Sequence, residues 1–219
     1  MALAIDLESK VLAFRESLQD QNPQSARAAR DVSVSLSKVG DFLSLRGQAG
    51  DGEKALENYQ RSLEVCERLL EQNPQSAQAA RDVSVSLIKV GDFLSRRGQA
   101  GDGEKALENY QRSLEVCERL LEQNPQSAEA ARDVSVSLNK VGDFLSRRGQ
   151  AGDGEKALEN YQLSLEVCER LLEQNPQSAQ AARDVSVSLI KVGDFLSRRG
   201  QAGDGEKALE NYQRGLAAC

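Results

Sequence analysis

Apolar residues recur along this chain in a pattern that repeats every 51 residues. In the first half of the repeat that begins at Asn73, they follow one another at steps of three and four, which is the spacing of one face of a helix. This first stripe consists of Ala80, Val83, Leu87, Val90 and Leu94. A second stripe with the same spacing runs from Ala106 to Leu121. The pattern therefore predicts two amphipathic helices in each repeat.

One short segment favours a different structure. From Val83 to Leu87, apolar residues alternate with serines, and a period of two is typical of a strand. The spacing of three and four continues through this segment, and no turn residue interrupts it on either side. We therefore interpret the segment as part of the first helix.

Turn-forming residues mark the ends of both helices. Pro74 disfavours helical geometry in the residue before it, and either Ser76 or Asn73 is placed to cap the helix that follows. Gly98 follows two arginines and is predicted to adopt the left-handed conformation that ends many helices. A short loop comes next, and Asp102 is expected to cap the second helix.

The near identity of the repeats predicts one continuous array. Two neighbouring repeats differ only at the three pairs Gln78/Glu129, Ile88/Asn139 and Arg112/Leu163. Because such units bury their apolar faces on one another, we predict an all-α fold, an α-solenoid of antiparallel helix hairpins with about nine helices. The predicted array, 1–219, comprises an N-terminal capping helix (1–21), repeats 1 to 3 (22–72, 73–123 and 124–174) and a truncated repeat 4 (175–219).

The first 21 residues align with a second helix, and Arg15 stands where the repeats have a cysteine. We expect this segment to be a polar terminal cap of the array. Repeats as similar as these are typical of recent duplication and of consensus design, and the sequence leaves both origins open.

The repeat resembles the tetratricopeptide repeat. The resemblance recurs in every repeat and covers nearly the whole chain. It rests on Leu87, Val90, Gly91 and Leu94 in the first helix, on Gly98 at its end, and on Ala106, Tyr110 and Ser113 in the second helix. The family repeat has about 34 residues, and here added heptads lengthen both helices without turning their apolar stripes. The resemblance implies an elongated, right-handed superhelix.

Charge and composition narrow the range of partners. The chain has 28 Lys and Arg against 34 Asp and Glu, a net charge of −6, and neither sign forms a long run. This weighs against nucleic-acid and membrane partners. Glu108 and Arg112, four residues apart, are expected to form an ion pair on a solvent-facing helix surface. With no apolar segment long enough to span a membrane and no signal sequence at its start, we expect a soluble, cytoplasmic protein.

The sequence contains few of the residues that catalytic and metal-binding sites usually need. The chain has no histidine, which is the commonest general base and a common metal ligand. Its four cysteines recur once per repeat, too far apart for disulfides, and are expected to be core thiols. The segment GQAGDGEK, which begins at Gly98, superficially resembles a phosphate-binding loop but lacks its spacing. We therefore predict no enzyme, no metal and no cofactor.

The resemblance implies a binding surface, because first helices line the concave groove that holds peptides in tetratricopeptide arrays. The candidate residues in repeats 1 to 4 are Val34, Ser37, Asp41, Val85, Ile88, Asp92, Arg96, Val136, Asn139, Asp143, Arg147, Val187, Ile190, Asp194 and Arg198. The position of Ile88 varies most among the repeats. A ligand-facing surface and neutral drift both explain that variation.

Two functions follow as hypotheses. The first is a non-catalytic scaffold that binds a peptide or a partner helix from another protein on the first-helix face. The second is a structural array, natural or designed, whose exposed repeat ends associate into homo-oligomers.

Overall fold

The computed structural model describes residues 1–218, and within that range it contains nine α-helices and no strand. The helices are α1 (Ala2–Gln21), α2 (Ala26–Arg46), α3 (Asp51–Gln72), α4 (Ala77–Arg97), α5 (Asp102–Gln123), α6 (Ala128–Arg148), α7 (Asp153–Gln174), α8 (Ala179–Arg199) and α9 (Asp204–Ala217). The predicted fold class, an all-α array of helix hairpins, is confirmed. None of the helices in this range is long and apolar enough to cross a membrane.

The described residues form two compact units, 1–116 and 117–218, and helix α5 contributes residues to both. In the first unit α1 packs on α2, α2 on α3, and α3 on α4. In the second unit α6 packs on α7, α7 on α8, and α8 on α9. The loops between these helices are short, so consecutive helices run antiparallel. The division of 1–219 into one array with the repeat boundaries given above stays a prediction.

The helix ends lie close to where the turn residues place them. The Ser76 side chain accepts a hydrogen bond from the backbone N–H of Ala79, which makes Ser76 the cap of α4. Gly98 has a φ of 65° and ends that helix in the left-handed conformation. Asp102 was expected to be the residue that caps α5, but it is the first residue of that helix. Its carboxylate accepts a hydrogen bond from the backbone N–H of Gln99 in the preceding loop.

The alternation of valine and serine is explained by helix packing. Val83, Ser84, Ser86 and Leu87 are all buried in α4, whereas Val85 is exposed. The two serines are small enough to let helices approach closely, and the Ser84 hydroxyl lies 2.8 Å from that of Ser113 on α5. A buried hydroxyl needs such a partner. The segment is therefore helical, and its serines belong to the core.

The cysteines are core residues where the structure describes them. Cys66, Cys117 and Cys168 are buried free thiols, as expected, and the fourth, Cys219, lies outside the described residues.

Helix α1 does not have the expected polar outer face. Leu12 packs into the core, but Leu3, Leu7 and Phe14 on the same helix are exposed. These three residues recur at steps of four and seven, so they lie along one side of the helix. Helix α1 therefore has two apolar faces: one packs into the core through Leu12, and the other is exposed to solvent.

Candidate functional site

An exposed valine occupies the same position on every first helix. Val34, Val85, Val136 and Val187 have exposed fractions of 43%, 51%, 51% and 47%. On each of these helices the next residue toward the C-terminus is a buried serine and the one after it a buried leucine. Each valine therefore stands at the edge of the core and carries apolar surface to solvent.

In the first unit, two of these valines border a groove between α2 and α4. The groove has a cavity of about 210 Å³, and Val34 and Val85 both line it. Buried residues of α2, α3 and α4 form its floor, and these are Ser33, Ser62, Cys66 and Ser86. The groove thus combines apolar sides with a floor of hydroxyl and thiol groups.

An ion pair closes one end of this groove. Arg30 Nε on α2 donates to Asp82 Oδ2 on α4 at 2.6 Å, and both residues line the cavity. In the second unit Arg132 and Asp184 repeat this bond at 2.7 Å. The pair links the first helices of neighbouring repeats near their N-terminal ends.

A second polar cluster lies at the other end. Asp41 accepts bonds from Lys89 Nζ at 2.8 and 3.0 Å and from the Tyr59 hydroxyl at 2.8 Å. Burial raises the pKa of Tyr59, and its bond to the Asp41 carboxylate adds to the rise. The Tyr59 hydroxyl therefore stays protonated and remains a donor at neutral pH.

The predicted aspartates share this role of accepting a tyrosine hydroxyl. Asp143 accepts bonds from Tyr161 and from Lys191 in the second unit. Tyr110 donates to Asp92, and Tyr212 donates to Asp194. The aspartates thus join first and second helices. Replacing one of them would weaken packing as well as any ligand contact.

The predicted arginines lie on the surface beside these aspartates. Arg96 Nε donates to the backbone carbonyl of Asp92, one turn earlier on α4. Arg147 and Arg198 make the same bond on α6 and α8. All three side chains are exposed, so they border the first-helix face.

The variable position faces the second helix of its own repeat. The Ser37 hydroxyl lies 2.9 Å from that of Ser62, and Asn139 Nδ2 donates to Ser164 at 2.9 Å. Ile88 is half-buried and Ile190 is 43% exposed. Asn139 Oδ1 is buried without a partner. Residues of different size at this position therefore change the depth of the groove.

Several groove residues were not singled out in the sequence. Arg30, Asp82 and Lys89 line the cavity, and so does Cys66, which was expected only as a core thiol. A signal for the ion pair was present, because an Arg-Asp dipeptide recurs in each repeat, and the arginine of repeat 1 pairs with the aspartate of repeat 2. Burial raises the pKa of the Cys66 thiol, so the reactive thiolate is disfavoured.

Solved structures of similar shape are helical repeat proteins. The de novo designed helical repeat protein DHR64 aligns with a TM-score of 0.65 and 20% identity over 89% of this chain and 96% of its own. The DHF79 filament protein aligns with a TM-score of 0.58 and 21% identity over 84% of this chain and 96% of its own. A third similar structure is MamA 41-end from Desulfovibrio magneticus RS-1, which aligns with a TM-score of 0.52 and 14% identity over 96% of this chain and 85% of its own. At these identities the likeness shows the fold, and the chain is a helical repeat protein.

Sequence comparisons add little to this assignment. No curated protein matches the chain. One family profile, the SipA vinculin binding site, matches residues 27–41, which are a short stretch of α2.

Proposed function

We propose that the chain is an elongated tetratricopeptide-like scaffold that binds a peptide or a partner helix of another protein on its first-helix face. The observation that carries this proposal is the exposed valine on every first helix. In the first unit, Val34 and Val85 lie on the same groove, and charged pairs stand at its two ends. Repeated apolar surface next to charged groups is typical of grooves that receive a peptide.

The groove contacts suggest how a peptide would be held. An apolar side chain of the peptide would lie between Val34 and Val85, while its polar groups would meet the Ser33 and Ser62 hydroxyls of the floor. The exposed guanidinium of Arg96 favours a carboxylate on the partner over a cation.

The matching family profile does not change this proposal. A helix that docks in a partner's groove uses its apolar face. In α2 the apolar residues Ala29, Val32 and Leu36 have exposed fractions of only 7%, 3% and 1%. Their face is already used in the core, so the profile does not support vinculin as a partner.

Changing the exposed valines to threonine tests the groove. Threonine has nearly the shape of valine, with a hydroxyl in place of one methyl group. The side chains of Val34, Val85, Val136 and Val187 are about half exposed, so the hydroxyl can reach water and the fourfold variant should stay folded. We expect peptides selected from a random display library on the wild-type protein to bind this variant at least about tenfold more weakly. Fluorescence anisotropy with each selected peptide measures the loss.

A second variant tests the cavity itself. Ser37→Ile introduces the residue that repeats 2 and 4 already have at this position, so we expect the variant to fold. The larger side chain would fill part of the groove between α2 and α4. Peptides that bind in this groove should then bind more weakly. Peptides that bind both variants as tightly as the wild type would contradict the proposal, and so would a selection that yields no binder.

A second candidate function is self-association, which the exposed apolar face of α1 favours. If Leu3, Leu7 and Phe14 mediate contacts between copies, the mass measured by light scattering should rise with protein concentration. Changing Leu7 and Phe14 to serine should then restore a constant mass. A wild-type mass that stays that of a monomer at high concentration would discard this candidate and leave the scaffold proposal intact.

A further inference from the structure

A second pocket lies in the second unit, on a different part of the molecule from the first-helix groove. It has a volume of about 540 Å³, which falls within the range of about 300–1,000 Å³ found for ligand clefts. It opens between the C-terminal turns of α5, the first half of α6 and the second half of α7.

The lining of this pocket is mainly apolar. Ala131, Val134 and Leu138 on α6 are nearly inaccessible and form its floor. Leu163 on α7 forms part of the wall and is 42% exposed. The exposed side chains of Glu118, Glu122, Arg170 and Gln174 lie at the rim.

A single substitution distinguishes this pocket from the same place in the other repeats. The other three repeats have an arginine where repeat 3 has Leu163. Those arginines reach across to a glutamate of the preceding second helix. The bonds are Arg61 to Glu16 at 2.8 Å, Arg112 to Glu67 at 2.6 Å, and Arg214 to Glu169 at 2.7 Å. Leu163 has no guanidinium group, and its apolar side chain lines the pocket on the α7 side instead.

The three arginine bonds also indicate what the acidic side of the crevice accepts. Glu118 is the repeat-3 counterpart of Glu67, a residue that binds a guanidinium. Glu122 adds a second carboxylate to the rim, against one cation from Arg170. The chain as a whole has a net charge of −6. The rim and the whole molecule are therefore complementary to a basic partner.

We propose that this pocket is a second binding site, which takes a leucine-sized side chain from a basic segment of another protein. The arginine or lysine next to that leucine would lie at the acidic side of the rim, near the Glu122 and Glu118 carboxylates. The apolar side chain would cover Leu163 and the floor of the pocket. The site is distinct from the first-helix groove and does not depend on it.

A synthetic peptide serves as the probe. It contains three copies of Leu-Arg-Ser-Gly, is blocked at both ends and carries a fluorophore. One control peptide has glutamate in place of arginine, and another has serine in place of leucine. Fluorescence anisotropy measures the affinity, and isothermal titration calorimetry measures the number of sites. We expect each control peptide to bind at least about tenfold more weakly than the probe.

Two matched variants locate the site. Leu163→Arg restores the residue of the other repeats, so it should fold and should weaken probe binding at least about tenfold. Gln162→Arg adds the same charge at the neighbouring exposed position, outside the pocket lining. This variant should keep most of the wild-type affinity for the probe peptide. Equal losses in both variants would mean that the probe responds to charge alone and would overturn the proposal.

A third variant tests for gain of a site. Arg61→Leu gives repeat 1 the residue of repeat 3 at this position, and calorimetry should then count two sites instead of one. The valine variant of the first-helix groove should bind the probe as the wild type does. Unchanged affinity in Leu163→Arg, or a pocket covered by a second copy that the probe cannot displace, would refute the proposal.

Discussion

Alanine at position 142 is expected to destabilise the protein by about 1–3 kcal/mol, although alanine is the better helix former. A Cβ atom at Gly142 would lie 2.9 Å from Cε1 of the Tyr161 ring and 3.1 Å from its Cδ1 and Cζ atoms. The ring has little freedom to move. Its hydroxyl donates a hydrogen bond to Asp143, and the ring packs against that of Phe195, with 5.6 Å between the centroids and 50° between the ring planes. The overlap must therefore separate α6 from α7.

The same substitution at Gly154 is the matched control. Gly154 is helical in α7, and nothing lies within 4 Å of the Cβ that alanine would add. Alanine there should stabilise the protein by about 0.4–1 kcal/mol, because it restricts the unfolded chain. Urea unfolding followed by circular dichroism compares the two variants.

A double variant separates the steric overlap from other effects. In Gly142→Ala combined with Tyr161→Leu, the added methyl group no longer meets a ring, so the loss should be smaller than the sum of the two single losses. Additive losses, or a Gly142 variant as stable as the Gly154 variant, would show that the contact with the ring does not limit this position.

Removing the carboxylates at the starts of the second helices is expected to have the other large effect. Asp153 is 2% exposed and accepts two bonds from Arg148, at 2.7 and 2.8 Å, and one from the Gln150 N–H at 2.9 Å. The same arrangement recurs at Asp51, Asp102 and Asp204. Each carboxylate thus holds the loop and the helix end in place. An arginine left without its buried partner is strongly destabilising.

These bonds predict how stability depends on pH. The hydrogen bonds from Arg46 and Arg199 lower the pKa of Asp51 and Asp204 to about 2, and arginine bonds lower the pKa of Asp102 and Asp153 as well. In the unfolded chain an aspartate has a pKa of about 3.9. The folded values are lower, so the stabilisation is complete above about pH 4 and is lost as the pH falls through about 2.

The fourfold change of these aspartates to asparagine tests both expectations. We expect its melting temperature at pH 7 to fall by roughly 10 °C or more, and its loss of stability between pH 4 and 2 to be smaller than that of the wild type. Thermal unfolding followed by circular dichroism measures both.

A matched variant controls for net charge. Changing Glu57, Glu108, Glu159 and Glu210 to glutamine removes four exposed carboxylates from the same four helices. Its stability should stay close to that of the wild type, because exposed charges contribute little. If it loses as much stability as the asparagine variant, the aspartates act through net charge and not through their bonds.

The two proposed sites differ in how the sequence signals them. The first-helix face is the same in each repeat, apart from the residue at the Ile88 position, so comparing repeats shows a surface but not which part of it binds. Leu163 was visible as one of three differences between neighbouring repeats. Its consequence was not visible, because a pocket is a property of three helices that meet in space.

The sequence by itself determined the helices, their ends and their buried faces. The spacing of Val83, Leu87 and Val90 predicts the buried side of α4, and all three are buried. Ser76 and Gly98 set the limits of that helix through hydrogen bonds and backbone angles of their own neighbourhood. Such features depend on residues within a few positions, which the sequence contains.

Only the tertiary structure decided which distant groups meet. Arg112, which has Glu108 one turn away, bonds to Glu67, 45 residues earlier. Asp41, expected to face a ligand, bonds to Lys89 of the next repeat and to Tyr59. The period shows that neighbouring repeats stack, but the distance and rotation between their helices decide which charges come within bonding range. Those quantities arise from the packing of many side chains at once, and no local pattern encodes them.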